Sequence, residues 1–235
     1  MKAIILAGGL GTRLRPLTYA IPKPLLPVGE KPILEMIVGR LNHFGYGEFI
    51  LAVGYRHEMI ETYFKHGEQF GVKIDYVLET TRLGTAGPLA LVRDQFAFEG
   101  DETILLMNGD ILTKLDFHDL LRFHRQNHCA MTVATRRHSS QLPFGVLQVE
   151  GERVQGIVEK PTTYHEVSAG IYMLQSSALA CVPAGVFFDI PDLVNALIAK
   201  QETVGAYNFT DYWLAVEQLH HIEEAQHDAA QWKEP

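Results

Sequence analysis

A short apolar run that empties straight into glycines is the feature that most restricts this chain. Lys2-Ala3-Ile4-Ile5-Leu6 reads as a buried strand, and Ala7-Gly8-Gly9-Leu10-Gly11-Thr12-Arg13-Leu14-Arg15-Pro16-Leu17-Thr18 follows without a break. Glycines let backbone N–H groups approach an anion with no Cβ in the way. Arg13 and the Lys23 of Pro22-Lys23-Pro24-Leu25 add positive charge beside that loop. The pattern predicts a triphosphate-binding turn at the carboxyl end of a first strand, where open α/β sheets take their ligands. Two other phosphate loops are excluded by spacing. Neither Gly8 nor Gly9 is followed by the second glycine, Lys and Ser/Thr of a P-loop, and Leu14 stands where a dinucleotide fingerprint has its third small residue.

Beyond the loop, short apolar runs alternate with helical patterns. Strands are predicted at Ile4–Ala7, Glu48–Val53, Val72–Leu78, Thr103–Met107, Ala130–Thr135, Gly145–Val149, Val154–Val158 and Ala169–Leu174. Helices are predicted at Ile33–Phe44, His57–Lys65, Ala86–Phe96, Phe117–Gln126 and Asp192–Lys200. Such alternation implies a mostly parallel sheet with helices on both sides. After about Cys129 strands follow one another, with Glu150-Gly151-Glu152 as a hairpin signal, so antiparallel strands are expected to shape an acceptor pocket. The expected layout is one domain over 1–235: a nucleotide-binding half to about 128, a second half over about 129–217, and a polar tail over 218–235 that frays as a solvated helix. No hexapeptide repeat is present, so no left-handed helical appendage is expected.

Composition removes several function classes. With 235 residues, 47% hydrophobic, the chain can bury a sizeable core. Its net charge of -8 disfavours nucleic acid, so a polyanionic ligand must be met by local cations. Cys129 and Cys181 sit among apolar or small residues and read as reduced, buried thiols. No secretory signal and no apolar stretch of the roughly 20 residues that a membrane helix needs is visible. A cytoplasmic protein with no membrane partner is expected. His124 and His128, His220-His221 and His227 lack a ligand grid and read as surface histidines, while Phe64, Phe70, Tyr76 and Phe96 read as core.

Four further segments carry chemistry. In Leu105-Leu106-Met107-Asn108-Gly109-Asp110 a carboxylate stands just beyond a buried strand. Asp110 either caps the next turn or holds Mg²⁺, which takes one or two carboxylates plus phosphate oxygens and water. Beside a triphosphate loop the metal reading is favoured. Glu159-Lys160-Pro161 offers a cation for a second phosphate and a carboxylate for hydroxyls. Phe144-Gly145-Val146 and Ser168-Ala169-Gly170-Ile171-Tyr172 put small residues at strand starts, leaving room for a bulky polar ligand.

In this order the segments resemble the sugar-1-phosphate nucleotidyltransferases, or nucleotide-sugar pyrophosphorylases, from Met1 to about Leu214. The run Leu83-Gly84-Thr85-Ala86-Gly87-Pro88-Leu89 after Glu79 looks like that of the mannose-1-phosphate guanylyltransferases. The resemblance implies the nucleotide-diphospho-sugar transferase fold: a Rossmann-like α/β architecture, mostly parallel mixed sheet flanked by helices, with a small antiparallel sugar-binding subregion in the second half. It implies Arg13 on the departing pyrophosphate, Lys23 on the α-phosphate, Asp110 on Mg²⁺ and Lys160 on the sugar phosphate. Leu6, Ala7, Gly8, Gly9, Gly11, Thr12, Glu79, Gly84, Thr85 and Asn108 would surround the nucleotide. Gly145, Glu159, Ser168 and Gly170 would face the sugar phosphate.

The implied reaction is attack of a sugar 1-phosphate on the α-phosphorus of a nucleoside triphosphate, releasing pyrophosphate. GTP with mannose 1-phosphate, or a related aldose or heptose phosphate, is the leading pair, because a carboxylate at Glu79 can accept from both N–H groups of guanine. UTP or dTTP with a hexose 1-phosphate is the runner-up, and a homo-oligomer is compatible with either. One position departs from the pattern. Where the family commonly reads Trp-x-Asp-x-Gly, with the Asp as second metal ligand, this chain has Trp213-Leu214-Ala215-Val216-Glu217. Asp211 and Glu217 are the available substitutes, and the departure also leaves open a non-catalytic nucleotide-sugar-binding regulator.

Overall fold

The computed structural model describes residues 1–98 and 100–228. From the amino end come β1 (Lys2–Ala7), the paired β2 (Pro27–Val28) and β3 (Lys31–Pro32), α1 (Ile33–His43), β4 (Glu48–Val53), α2 (His57–Phe64), β5 (Lys73–Leu78) and α3 (Pro88–Gln95). Then follow β6 (Thr103–Asn108), β7 (Ile111–Thr113), α4 (Phe117–Gln126), β8 (Met131–Gln141), β9 (Gly145–Glu150), β10 (Arg153–Glu159) and β11 (Thr162–Gln175). Last in order are α5 (Ile190–Ala199), β12 (Val204–Asn208), β13 (Trp213–Ala215) and α6 (Leu219–Asp228).

Seven strands form the main sheet in the order β12-β8-β11-β6-β1-β4-β5. Every pair is parallel except β6–β11 and β8–β11, so β11 alone runs against the rest. The chain winds outward from β1 through β4 to β5, then returns to lay β6 on the other side of β1. The strand order therefore reverses at β1, so the switch point, where doubly wound sheets form their crevice, lies beyond the carboxyl ends of β1 and β6. That is where open α/β sheets bind ligands.

Two cores flank this sheet. Ala3, Ile5 and Ala7 of β1 pack with α1, α2, α4 and α6, whereas Ile4 packs with α3 and α5. The period-two alternation with both faces covered explains why β1 reads as an unbroken apolar run. It also fixes β1 rigidly, which matters for the loop it feeds.

β8 and β11 extend well beyond the sheet. Their ladder continues to Gln141↔Thr162, and the β9–β10 hairpin crowns it. Residues 137–168 of this ribbon are exposed apart from the half-buried Gly156 and Pro161. At its root the register shifts between Ser168 and Tyr172, with Gly170 at φ 70 in the left-handed region that favours glycine. A Cβ there would lie 2.5 Å from Ile111 Cδ1.

The structure corrects four expectations. β8 and β11 were expected to span Ala130–Thr135 and Ala169–Leu174, because apolar alternation stops where the ribbon leaves the core. The tail over 218–235 is not wholly solvated where it is described: Ile222 and Ala225 of α6 join the core. Residues 229–235 lie outside the described residues. Cys181 is only half-buried, although both cysteines are free as expected. His124 is not a surface histidine; it is 1% exposed. His128, beyond the end of α4, is exposed. Among the described residues no helix is long and apolar enough to cross a membrane.

The imidazole of His124 bridges α4 to the sheet, with Nδ1 2.9 Å from Thr132 Oγ1 and Nε2 3.2 Å from Gln175 Oε1. Burial pushes its pKa below the ordinary value of 6.5, and the Gln175 hydrogen bond opposes this only in part. The folded state thus binds a proton less readily than the unfolded chain. Its stability contribution is complete above pH 6.5 and is lost as pH falls below that value. The urea midpoint of the wild type should drop between pH 7.5 and 5.5 more than that of His124→Gln; equal drops would remove His124 from the account.

Candidate active site

The glycine loop is held by its own side chains. Gly11 adopts φ 59, and the Thr18 hydroxyl donates to its carbonyl over 2.8 Å. A Cβ at Gly11 would lie 2.8 Å from Thr18 Cγ2 and 3.3 Å from Lys23 Cβ. Turn, threonine and lysine therefore pack as one unit. Thr18 is almost wholly buried, and its role was not anticipated from the sequence, although it closes the very motif quoted for phosphate binding. The loop places Arg13 in a single 3-10 turn, Thr12–Leu14, and Lys23 in another, Lys23–Leu25.

Gly109 brings the opposite wall of the crevice against β1. Its N–H donates to the Leu6 carbonyl over 2.9 Å, and a Cβ at Gly109 would lie 2.9 Å from that oxygen. Asp110 follows at once and meets Lys23: the lysine Nζ donates to Asp110 Oδ2. Both side chains are largely withdrawn from solvent. The other carboxylate oxygen, Oδ1, is buried without a hydrogen-bond partner among the described residues. A buried orphan oxygen on a carboxylate demands a cation or a proton. That donor fits a hard divalent cation, which takes carboxylate oxygens with phosphate and water filling the remaining positions.

β13 pairs antiparallel with β7, with Ala215 opposite Ile111, and Val216 N–H donates to the Asp110 carbonyl over 2.9 Å. This register separates the two candidate substitutes for the missing carboxylate. Glu217 lies at the Asp110 end, while Asp211 lies at the far end, where its carbonyl accepts from Arg136. Glu217 is already engaged: its Oε2 accepts from Arg13 Nη1 over 2.6 Å. No group of three or more His, Cys, Asp or Glu side chains is placed to hold a metal among the described residues. Asp110 is thus the one protein ligand that the geometry offers outright.

Glu79 stands across the loop from Asp110. Its Oε1 accepts from Leu83 N–H over 2.6 Å, and its Oε2 would lie 2.9 Å from a Cβ at Gly8. Gly8 is therefore required for close approach of carboxylate to loop. Leu6 and Ala7 end β1 beside it, and Gly9 and Thr12 are exposed on the open side. Gly84 and Thr85 have a packing task that the sequence did not reveal. The Thr85 N–H and hydroxyl both donate to Asp189, the residue that caps α5, and a Cβ at Gly84 would collide with Phe188 and Asp189. Asn108 abuts Gly170, with its Nδ2 2.7 Å from where a Cβ would stand.

The structure thus brings Gly8, Gly11, Lys23, Glu79, Asn108, Asp110 and Gly170 to one edge of the sheet. The remaining residues expected on the sugar side are elsewhere. Ser168, at the ribbon root, bonds to Tyr172 OH over 2.8 Å. Gly145 and Glu159 face each other higher up, at the foot of the hairpin, with Glu159 Oε2 3.0 Å from a Cβ at Gly145. Lys160 follows at φ 45, a left-handed backbone unusual for lysine. All three are exposed, and the strand from Ser168 to Thr162 alone covers roughly 20 Å.

A family model described as nucleotidyl transferase matches residues 2–231. Similar proteins include the probable mannose-1-phosphate guanylyltransferase 1 of Oryza sativa subsp. japonica, 39% identical over 76% of this chain and 51% of that protein. Another is the UTP–glucose-1-phosphate uridylyltransferase of Synechocystis sp., 31% identical over 92% of this chain and 62% of that protein. The chain therefore spans between about half and three-fifths of the length of these relatives. Among solved structures, a putative glucose-1-phosphate thymidylyltransferase from Bacillus anthracis superposes with TM-score 0.76 at 24% identity, covering 100% of this chain and 96% of that one.

A phosphate reaching Arg13 competes with Glu217 for Nη1 of the guanidinium. An exposed ion pair of this kind is worth about 0.2–1 kcal/mol, so Glu217→Gln should tighten nucleoside triphosphate binding by up to about fivefold. Titration calorimetry with GTP and UTP reads this directly. Weaker binding by the variant would mean that Glu217 helps the ligand rather than competing with it.

Proposed function

The chain belongs to the nucleotidyl transferase family, and from that premise we propose that it joins a nucleoside triphosphate to a sugar 1-phosphate, releasing pyrophosphate. The observation that carries this reading is Asp110, with one oxygen on Lys23 and the other buried and unpartnered among the described residues, at the strand crossover point beside a glycine turn. Such a reaction needs two anions brought in line at the α-phosphorus, with their repulsion cancelled. No protein nucleophile is required, since positioning and charge neutralisation supply the catalysis.

Lys23 is the cation for the α-phosphate, and its pairing with Asp110 keeps it aimed into the crevice. Arg13, once released by Glu217, takes the outgoing pyrophosphate. Loop N–H groups around Gly8, Gly9, Gly11 and Thr12 receive phosphate oxygens. Asp110 Oδ1 would hold a divalent cation, Mg²⁺ in this reading, which supplies charge neutralisation on the phosphate oxygens when bound. Gly145, Glu159, Lys160, Ser168 and Gly170 make up the sugar-phosphate side, so the halves over about 1–128 and 129–217 divide the two substrates between them.

For the base, Glu79 offers a carboxylate oxygen at the lip of Gly8 that suits the paired N–H donors of guanine. The resemblance to mannose-1-phosphate guanylyltransferases supports GTP with mannose 1-phosphate or a related aldose or heptose phosphate. Uracil and thymine present one N–H to the same oxygen, so UTP or dTTP with a hexose 1-phosphate is the second pair. Ala215 favours a different reading, in which the chain binds nucleotide sugars as a regulator without turnover.

Crossing four nucleoside triphosphates with several sugar 1-phosphates in Mg²⁺ and reading pyrophosphate tests all three. GTP with mannose 1-phosphate should be fastest; tight nucleotide-sugar binding with no turnover across the panel would establish the regulator instead. Lys23→Ala and Asp110→Ala should each lower kcat by about 100-fold or more, the usual cost of removing one transition-state charge partner. Lys160→Ala should act chiefly on the KM for sugar 1-phosphate. Ala215→Asp should lower the Mg²⁺ concentration needed for half-maximal rate, and an unchanged requirement would show that Asp110 suffices.

A further inference from the structure

The ribbon poses a problem of packing and a problem of chemistry, and one arrangement resolves both. Across the β9–β10 hairpin the register pairs Leu147 with Ile157 and Val149 with Val154, so these four side chains share one face. They are 52%, 65%, 58% and 60% exposed, respectively. Gly145 and Glu159 pair directly next to them and lie on that same face. A two-stranded hairpin is marginal in water by itself, and it needs a third layer on an apolar face. The face that lacks a cover is therefore the face that carries a sugar-side residue.

Among the described residues, the hydrogen bonds of the ribbon above its root stay within it, except for Asn208 Nδ2 to Glu166. None recorded among the described residues joins Gly145, Glu159 or Lys160 to the Asp110–Lys23 crevice. Yet β8 and β11 leave the sheet at the same edge as that crevice, since Gly170 touches Asn108 and Ile111. The bulge at the root gives the ribbon its direction. A projecting element that is chemically incomplete at its tip, attached beside a site that lacks the matching groups, has the form of an exchanged segment.

We propose that two copies of this chain exchange ribbons, so that the hairpin of each copy lays its Leu147–Ile157 face on the other and its Glu159 and Lys160 complete the other's Asp110–Lys23 site. This rests on the reading of Gly145, Glu159 and Lys160 as the sugar-phosphate side. The size is right: a stable interface takes about 20–30 residues a side, and the ribbon spans 137–168. Lys160 brings the cation that the crevice needs for a second phosphate, next to the Asp110 and Glu217 carboxylates. A polyanion arriving between the two copies thus meets cations from both.

The test separates the interface from the chemistry. Light scattering should give twice the chain mass, and Leu147→Glu with Ile157→Glu should give a monomer, while Val146→Glu on the opposite hairpin face stays dimeric. Because the double variant can fail by misfolding, the wild type is also mixed as light and ¹⁵N-labelled chains, exchanged, and treated with an amine-reactive cross-linker. Lys160, the single lysine of the ribbon, should link to core lysines of the other isotope. A monomeric wild type, or links confined to one isotope, overturns the exchange and leaves a ribbon that closes on its own chain. Co-expressed Lys160→Ala and Lys23→Ala chains, assayed at limiting sugar 1-phosphate, should recover about a quarter of wild-type turnover, the yield of random pairing with one intact site per mixed dimer. An active wild type with no such recovery overturns the shared site. Mixed-isotope links in a protein with no turnover on any substrate pair would uphold the exchange and sink the enzymatic reading instead.

Discussion

Pairing Lys23 with Asp110 is the interaction on which the site is organised. It joins two segments distant in sequence across the crevice between β1 and β6, and neither partner is free to choose its place. Lys23 is packed onto the Gly11 turn, which Thr18 holds. Asp110 is fixed by Gly109, whose missing side chain lets β6 run its end into the Leu6 carbonyl. Two glycines and a buried threonine thus position one ion pair. Since the pair engages only one carboxylate oxygen, the other is left buried and open to a cation.

Electrostatics at this edge run against those of the whole molecule. The chain carries a net charge of -8, yet this edge gathers the cations Lys23 and Arg13. Cations there are each matched by a carboxylate: Lys23 by Asp110, Arg13 by Glu217. In the absence of ligand the charges cancel locally, which avoids leaving a half-buried lysine uncompensated. On the proposed reading, a phosphate group would compete with a carboxylate instead of meeting bare cations. This arrangement favours a ligand whose charge is stronger and more divided than that of Glu217, as a triphosphate is.

What could be read from the sequence was whatever is local. β1, β4 and β6 were legible because strands buried on both faces spell continuous apolar runs. The glycine loop, Lys23 and Asp110 were legible because each sits within a few residues of a strand end that implies its position. The outer halves of β8 and β11 were not, since Arg136-Arg137-His138-Ser139-Ser140-Gln141 has no apolar alternation to reveal a strand. The Arg13–Glu217 pair spans 204 positions, and no pattern at either end announces it. The packing task of Thr85, whose hydroxyl accepts from the Ile190 N–H at the start of α5, has no local sequence signal either. His124 misled because helical spacing to His128 says nothing of which face is covered.

The ribbon is one continuous pleat, with the inner ends of β8 and β11 fixed in the main sheet and the outer ends free. In such a ladder neighbouring side chains point to opposite faces, so adding a single residue turns everything beyond it over. One insertion in the outer stretch would send Glu159 and Leu147 to the wrong side of the hairpin while leaving the central sheet intact. Reach can therefore change only in even increments, matched on both strands. Homologues with longer or shorter ribbons should differ by such paired steps, and an odd difference would have to be absorbed by a further bulge.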